Sequence, residues 1–159
     1  MRVNEHTWKP YAVWVLFTEA VGALAGWLTR DGAQLYAQTA AQPPLSPPAV
    51  VFPIVWAVLY ALMGIGAARV YLTAPSRLRS RGLWLYILQL AVNFFWPILF
   101  FNLQAYGLAL VWLVILWGLI WGMLLAFRRA DPLAGWLQAP YLLWVSFAAY
   151  LNWGVWRLN

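Results

Sequence analysis

The chain has 159 residues, of which 65% are hydrophobic and 9% charged, with a net charge of +6 and mean hydropathy +0.71. A soluble domain carries about 25% charged residues, so there is too little polar material here to build a water-facing surface. With no Cys a disulfide scaffold is also excluded, which leaves an all-α, polytopic integral membrane protein.

A membrane-crossing helix needs about 20 predominantly apolar residues. Five such stretches are predicted, at 11–29, 51–72, 83–101, 105–127 and 134–156, making one five-transmembrane-helix bundle. They are too long and too continuous for barrel strands, which are short and alternate. The first follows Arg2 and Lys9, as a signal peptide would, but Glu19 interrupts it and no small-residue cleavage site follows. It is therefore expected to be retained. The 30–50 connection holds Pro43, Pro44, Pro47 and Pro48 and reads as a functional lid. Pro75 with Arg77, Arg79 and Arg81 ends the second span. Asn102-Leu103-Gln104 links the third to the fourth, and Arg128 to Pro132 separates the fourth from the fifth.

Five crossings place Arg2, Lys9, Arg69, Arg77, Arg79, Arg81, Arg128 and Arg129 on one side and Arg30 and Arg157 on the other. Positive charge marks the cytoplasmic side. The N-terminus is thus expected inside, with the C-terminus and the Pro-rich loop outside, in a bacterial cell membrane. Because these cations sit at helix ends and not on one continuous face, no nucleic-acid partner is expected.

Polar residues inside the spans carry the functional signal. Gln89, Asn93, Trp96 and Phe100 fall on one helical stripe. Trp56, Tyr60, Met63, Gly64 and Ala67 form a second, and Trp144, Ala148, Leu151 and Asn152 a third. Amides in a bilayer need partners, so these faces look inward. There they either bond helix to helix or line an apolar cavity with a few polar anchors, the usual form of a small-molecule site. Glu19 is the one carboxylate well inside a span, and an intramembrane ionisable group is a functional candidate. Gly22/Gly26 and Gly118/Gly122 are small-xxx-small pairs, suited either to packing within the bundle or to a homodimer seam.

Much chemistry is excluded by supply. The single His6 lies in the polar tail and Cys is absent, so no metal site, haem ligation or hydrolytic triad is expected, and no cofactor is required. The redox-active side chains at hand are 13 Trp and 8 Tyr.

Three motifs carry a resemblance. Pro47-Pro48 through Phe52-Pro53, Trp56, Tyr60 and Met63-Gly64 resembles the second helix of the tryptophan-rich sensory protein (translocator protein, peripheral-type benzodiazepine receptor) family. Gln89 through Asn93, Trp96-Pro97 and Phe101 is similar to its third helix. Pro140-Tyr141 with Trp144, then Leu151-Asn152 through Trp156-Arg157, is similar to its fifth. The resemblance implies a five-helix bundle, usually homodimeric, whose cavity is closed by the first loop and binds porphyrins such as protoporphyrin IX or other hydrophobic small molecules. By motif, the ligand-binding residues it implies are Trp56, Tyr60, Asn93, Trp96, Tyr141, Trp144, Ala148 and Leu151. Gln89 and Asn152 join them as polar anchors on the same stripes. The chain departs from the family in that loop: Gln42-Pro43-Pro44-Leu45 stands where Lys-Pro-x-Trp is frequent, and Val50 where Trp is frequent. A reversed sterol-type pattern at Arg81, Tyr86 and Leu88 leaves a sterol as a minor expected partner.

The leading expectation is a membrane receptor or carrier for a porphyrin-like tetrapyrrole. Its rival is an enzyme that degrades porphyrin in light through a Trp, and a third reading is a proton-coupled transporter centred on Glu19.

Overall fold

The computed structural model describes residues 7–159, so Arg2 and His6 lie outside the described residues. Among the described residues the chain forms seven α-helices and no strand. These are α1 (Trp8–Leu28), α2 (Arg30–Thr39), α3 (Val51–Tyr71), α4 (Arg77–Pro97), α5 (Tyr106–Ala130), α6 (Pro132–Trp136) and α7 (Ala139–Leu158). A π-helical turn, Ile98–Asn102, continues α4. Helices α1, α3, α4 with its π turn, and α5 are each long and apolar enough to cross a membrane. With 20 residues α7 is of similar length, but its Tyr, Trp, Ser, Asn and Arg residues lower its hydropathy.

Three boundaries differ from the sequence expectation, each for a local reason. The third long helix starts at Arg77 and not at 83, because Ser76 caps it: the Ser76 hydroxyl accepts from the Arg79 N–H at 3.1 Å. The three arginines therefore belong to its first turns and not to the preceding link. The 30–50 segment is half helical, since α2 occupies its first part. The expected continuous fifth helix is broken between α6 and α7. Pro140 has no N–H to offer the Trp136 carbonyl one turn back, and the buried Gln138 fills the break by donating to the carbonyls of Leu62 (3.2 Å) and Ala134 (3.3 Å).

Around a buried apolar core the outer surface is itself apolar, unlike that of a soluble protein. Val58, Leu88, Val114 and Leu143 are exposed, whereas Thr18, Gln89, Asn93, Gln138 and Asn152 are buried. Where lipid is the solvent, apolar groups gain nothing by hiding and polar groups must find partners inside. Interhelical hydrogen bonds accordingly join the bundle. The Trp112 indole donates to the Val92 carbonyl at 2.7 Å, and Tyr86 donates to Thr18, whose own hydroxyl donates to the Trp14 carbonyl.

The basic groups collect at one end, where Arg69 Nε lies 2.9 Å from Asp131 Oδ2, Arg79 covers the Tyr71 ring and Arg128 covers Trp136. The α2 segment and the Pro-rich loop close the other end.

The packing of α1 against α3 shapes the space between them. Gly64 brings α3 directly onto the backbone of Val15, and Gly22 lets α1 rest on the ring of Tyr60. A Cβ at either glycine would collide with its neighbour. Four residues further along α1, a Cβ at Gly26 would meet nothing within 4 Å. The two helices are thus pinned at one half and splay toward the lid.

Candidate ligand cavity

That splay opens a cavity of about 460 Å³ between α1, α3 and α4. Its walls include Glu19, Gly22, Ala23, Ala25 and Gly26 of α1, Phe52, Trp56 and Tyr60 of α3, and Asn93, Trp96, Pro97 and Phe101 of α4 and its π turn. Ala23, Gly26, Pro53 and Ala57 on its lip are exposed, so it opens on the outer face of the bundle between α1 and α3. A second cavity of about 160 Å³ lies beneath the lid, lined by Ala33, Tyr36, Gln42, Pro47, Trp96, Ala148, Leu151 and Asn152, among others. The two share Ala33, Phe52, Trp96 and Phe101 as common walls and so adjoin.

The lid is held by specific contacts. Gly32 lets α2 lie on the π turn, where a Cβ would stand 2.6 Å from Asn102 Oδ1 and 2.8 Å from the Phe101 carbonyl oxygen. Asn102 in turn donates to the Leu28 carbonyl at 3.1 Å. Tyr36 packs edge-on against Phe100 and Phe101. Burial, with a smaller contribution from Tyr106, pushes its phenol up to about 12. Further along, Tyr150 donates to the Pro44 carbonyl at 2.9 Å, Asn159 exchanges hydrogen bonds with both backbone groups of Ala41, and Pro43 is buried on Gly154. Leu45, left-handed at φ 70°, makes the turn between the proline pairs.

Behind the larger cavity runs a directed hydrogen-bond chain. The Tyr60 hydroxyl donates to Asn93 Oδ1 (2.9 Å), Asn93 Nδ2 donates to Tyr141 Oη (2.7 Å), and the Tyr141 hydroxyl donates to Gln89 Oε1 (2.7 Å). Gln89 Nε2 ends the chain on Met63 Sδ at 3.6 Å. A second relay passes from the Trp96 indole to Asn152 Oδ1 (3.1 Å) and from Asn152 Nδ2 to the Tyr106 carbonyl (2.8 Å). Each side-chain amide is fixed in one orientation, which is how a buried polar network specifies a unique packing.

The residues expected from sequence separate into three groups. Trp56, Tyr60, Asn93 and Trp96 line the larger cavity, and Trp96, Ala148, Leu151 and Asn152 the smaller one. Gln89 and Tyr141 line neither: both are fully buried behind the wall, where they position Asn93. Trp144 also lines neither. It packs edge-on against Phe52 with ring centroids 5.8 Å apart, and its shielded indole N–H has no hydrogen-bond partner among the described residues.

Sequence reasoning did not single out Phe52, Phe101, Tyr36 or the small α1 wall residues as lining. The spacing of Ala33, Tyr36 and Ala37 at i, i+3 and i+4 is a helical signal for the lid's inner face, hidden by reading 30–50 as loop. The direction of Phe101 depends on the π turn, in which the Leu103 N–H reaches back five residues to the Ile98 carbonyl at 3.0 Å.

Comparison with known proteins places this architecture. The chain is 38% identical over 141 residues to the tryptophan-rich protein TspO of Chlorobaculum tepidum, covering 88% of this chain and 89% of that one. It is 35% identical over 155 residues to the translocator protein of Bos taurus, covering 96% and 91%. To the protein CrtK of Rhodobacter capsulatus it is 40% identical over 119 residues, covering 74% of each. The TspO/MBR family model matches residues 14–157, and with the apolar helices described above this chain is a membrane protein that belongs to the TspO/MBR family.

Proposed function

We propose that this protein is a membrane receptor or carrier that binds a porphyrin-like tetrapyrrole, or another flat hydrophobic molecule, in the paired cavities. The observation that carries the reading is the larger cavity, walled by Trp56, Trp96, Phe52 and Phe101. Small-molecule sites of about 300–1,000 Å³ with apolar walls and few polar groups are the norm, and aromatic faces stack on a planar ring. The names of the relatives, which speak of sensing and translocation, support the same reading. The lip between α1 and α3 suits a ligand that arrives through the lipid, and the lid seals the end of the bundle.

In the same reading the five long helices all cross the bilayer, with the basic end cytoplasmic and the lid outside. The protein acts as a homodimer. Gly118 is exposed, and among the described residues a Cβ there would meet nothing within 4 Å, which leaves room for a second copy at that point of α5, whereas its seam mate Gly122 lies against Leu85.

The test is titration of the purified protein in lipid nanodiscs with protoporphyrin IX, followed by Trp quenching and by the porphyrin absorption band. Saturable binding is expected. Gly26→Phe, which puts a ring into open cavity space, should weaken it at least about tenfold, or about 1.4 kcal/mol. Trp84→Phe, on the outer face at 71% exposure, should leave it unchanged. If Gly26→Phe and Trp56→Phe both bind as the parent does, the cavity is not the site.

A further inference from the structure

The larger cavity contains a charged side chain that a porphyrin site does not need. Glu19 falls on the cavity-lining stripe of α1 with Gly22, Ala23 and Gly26, at i, i+3, i+4 and i+7. It stands near the middle of α1 and so near the middle of the span. Among the described residues Glu19 has no hydrogen bond and no ion pair, and no Lys, Arg or His lines the cavity. Arg30, close to the cavity residue Thr29, is engaged elsewhere: its Nη1 donates to the Trp27 carbonyl at 2.6 Å and its guanidinium covers the Trp27 ring at 4.4 Å. Arg69 is held by Asp131 at the opposite end of the bundle. A carboxylate in such surroundings is costly without a cation, and the described residues supply none.

The cavity that Glu19 lines also has aromatic walls: Tyr60, Trp56, Trp96 and Phe52. Trp56 and Tyr60 lie 5.5 Å apart with their planes 30° from parallel. A carboxylate facing π surfaces is the chemistry that recognises an organic ammonium. The ring faces attract the cation electrostatically, and the carboxylate takes a charge-assisted hydrogen bond from N–H. The same carboxylate repels an anionic substituent placed beside it.

We infer that Glu19 makes the larger cavity a binding site for hydrophobic organic cations, an aromatic or polycyclic amine being the favoured class, over neutral and anionic molecules of the same shape. The inference rests on the cavity reading above and adds to it a charge preference. A tetrapyrrole in this cavity would hold its carboxylates away from Glu19, toward the lid.

Three probes with one ring system test it: 9-anthracenemethylamine, 9-anthracenemethanol and 9-anthracenecarboxylate. Binding to the full chain in nanodiscs at neutral pH is read by energy transfer from Trp, with empty nanodiscs subtracted. The parent protein should bind the ammonium probe about tenfold more tightly than the alcohol, with the carboxylate weakest. Glu19→Gln, which leaves the aromatic walls in place, should cut the ammonium preference over the alcohol to about threefold or less, and Glu19→Asp should retain the order. Unchanged affinity for the alcohol in Glu19→Gln establishes that this variant is folded. If the parent binds ammonium and alcohol equally, or if Glu19→Gln keeps the full tenfold preference, the charge selectivity is refuted while the cavity stands. If no probe binds above empty nanodiscs, the cavity reading falls as well.

Discussion

Gly22 and Gly26 lie one helical turn apart on α1 and share one sequence context, yet Ala should have opposite effects at the two positions. At Gly22 the new methyl would occupy the ring of Tyr60, overlapping Cε2, Cδ2 and Cζ. Tyr60 is 8% exposed and cannot swing aside freely, because its hydroxyl is held by Asn93 at 2.9 Å. Either α1 moves off α3, or Tyr60 moves and its hydrogen bond breaks. Overpacking costs about 1–3 kcal/mol, and loss of the hydrogen bond about 1 kcal/mol more. Against that, Ala in place of Gly favours the helix by about 1 kcal/mol. The net expectation for Gly22→Ala is a loss of about 1–3 kcal/mol. At Gly26 the methyl enters open space, so only the favourable helix contribution remains. Thermal unfolding in one detergent, followed by near-ultraviolet circular dichroism of the Trp and Tyr bands, reads both. Gly22→Ala should melt several degrees below the parent and Gly26→Ala at or above it, at about 2–4 °C per kcal/mol for chains of this size. If Gly22→Ala melts with the parent, α1 and α3 are not pinned at Tyr60, and that contact is not the reason the two helices splay only in the half nearer the lid.

Tyr141→Phe removes the centre of the buried chain, leaving Gln89 Oε1 without its donor and Asn93 Nδ2 without its acceptor. Two orphaned buried groups cost about 1–3 kcal/mol each in water-soluble proteins, and interhelical hydrogen bonds in membranes average about 0.6 kcal/mol. A loss of about 1–4 kcal/mol is therefore expected in the same melts, together with weaker porphyrin binding through a misplaced Asn93. The lid should respond to alkali. Tyr36 loses its proton at 10.0 when free and near 12 when docked, so the undocked form ionises first. The stability that docking provides is complete below pH 10 and lost as pH rises toward 12. Protease cleavage in the 40–50 segment should rise through that window, and Tyr36→Phe should abolish the rise attributable to this phenol.

The composition determined that this is a helical membrane protein, because 9% charge cannot clothe a soluble surface while long apolar runs satisfy their own backbone in lipid. Periodicity also placed Trp56, Tyr60, Asn93 and Trp96 on inward stripes, since a helix's 3.6-residue repeat is a local property. Depth and partnership were beyond it. Gln89 and Asn93 look alike on one stripe, yet Gln89 is sealed behind Tyr141 while Asn93 reaches the cavity, because that choice depends on where α7 sits. Trp144 carries the right residue type on the right stripe and still lines neither cavity, with Phe52 packed against it. The 65% apolar content could not reveal the splay of α1 from α3, since Gly22 and Gly26 read the same until one meets a tyrosine ring and the other open space. Glu19 stood out in the sequence as an isolated carboxylate. Only the tertiary structure put it in one cavity with Trp56, Tyr60, Trp96 and Phe52 and, among the described residues, with no cation lining that cavity, because the neighbours of an intramembrane charge are chosen by helices distant in the chain.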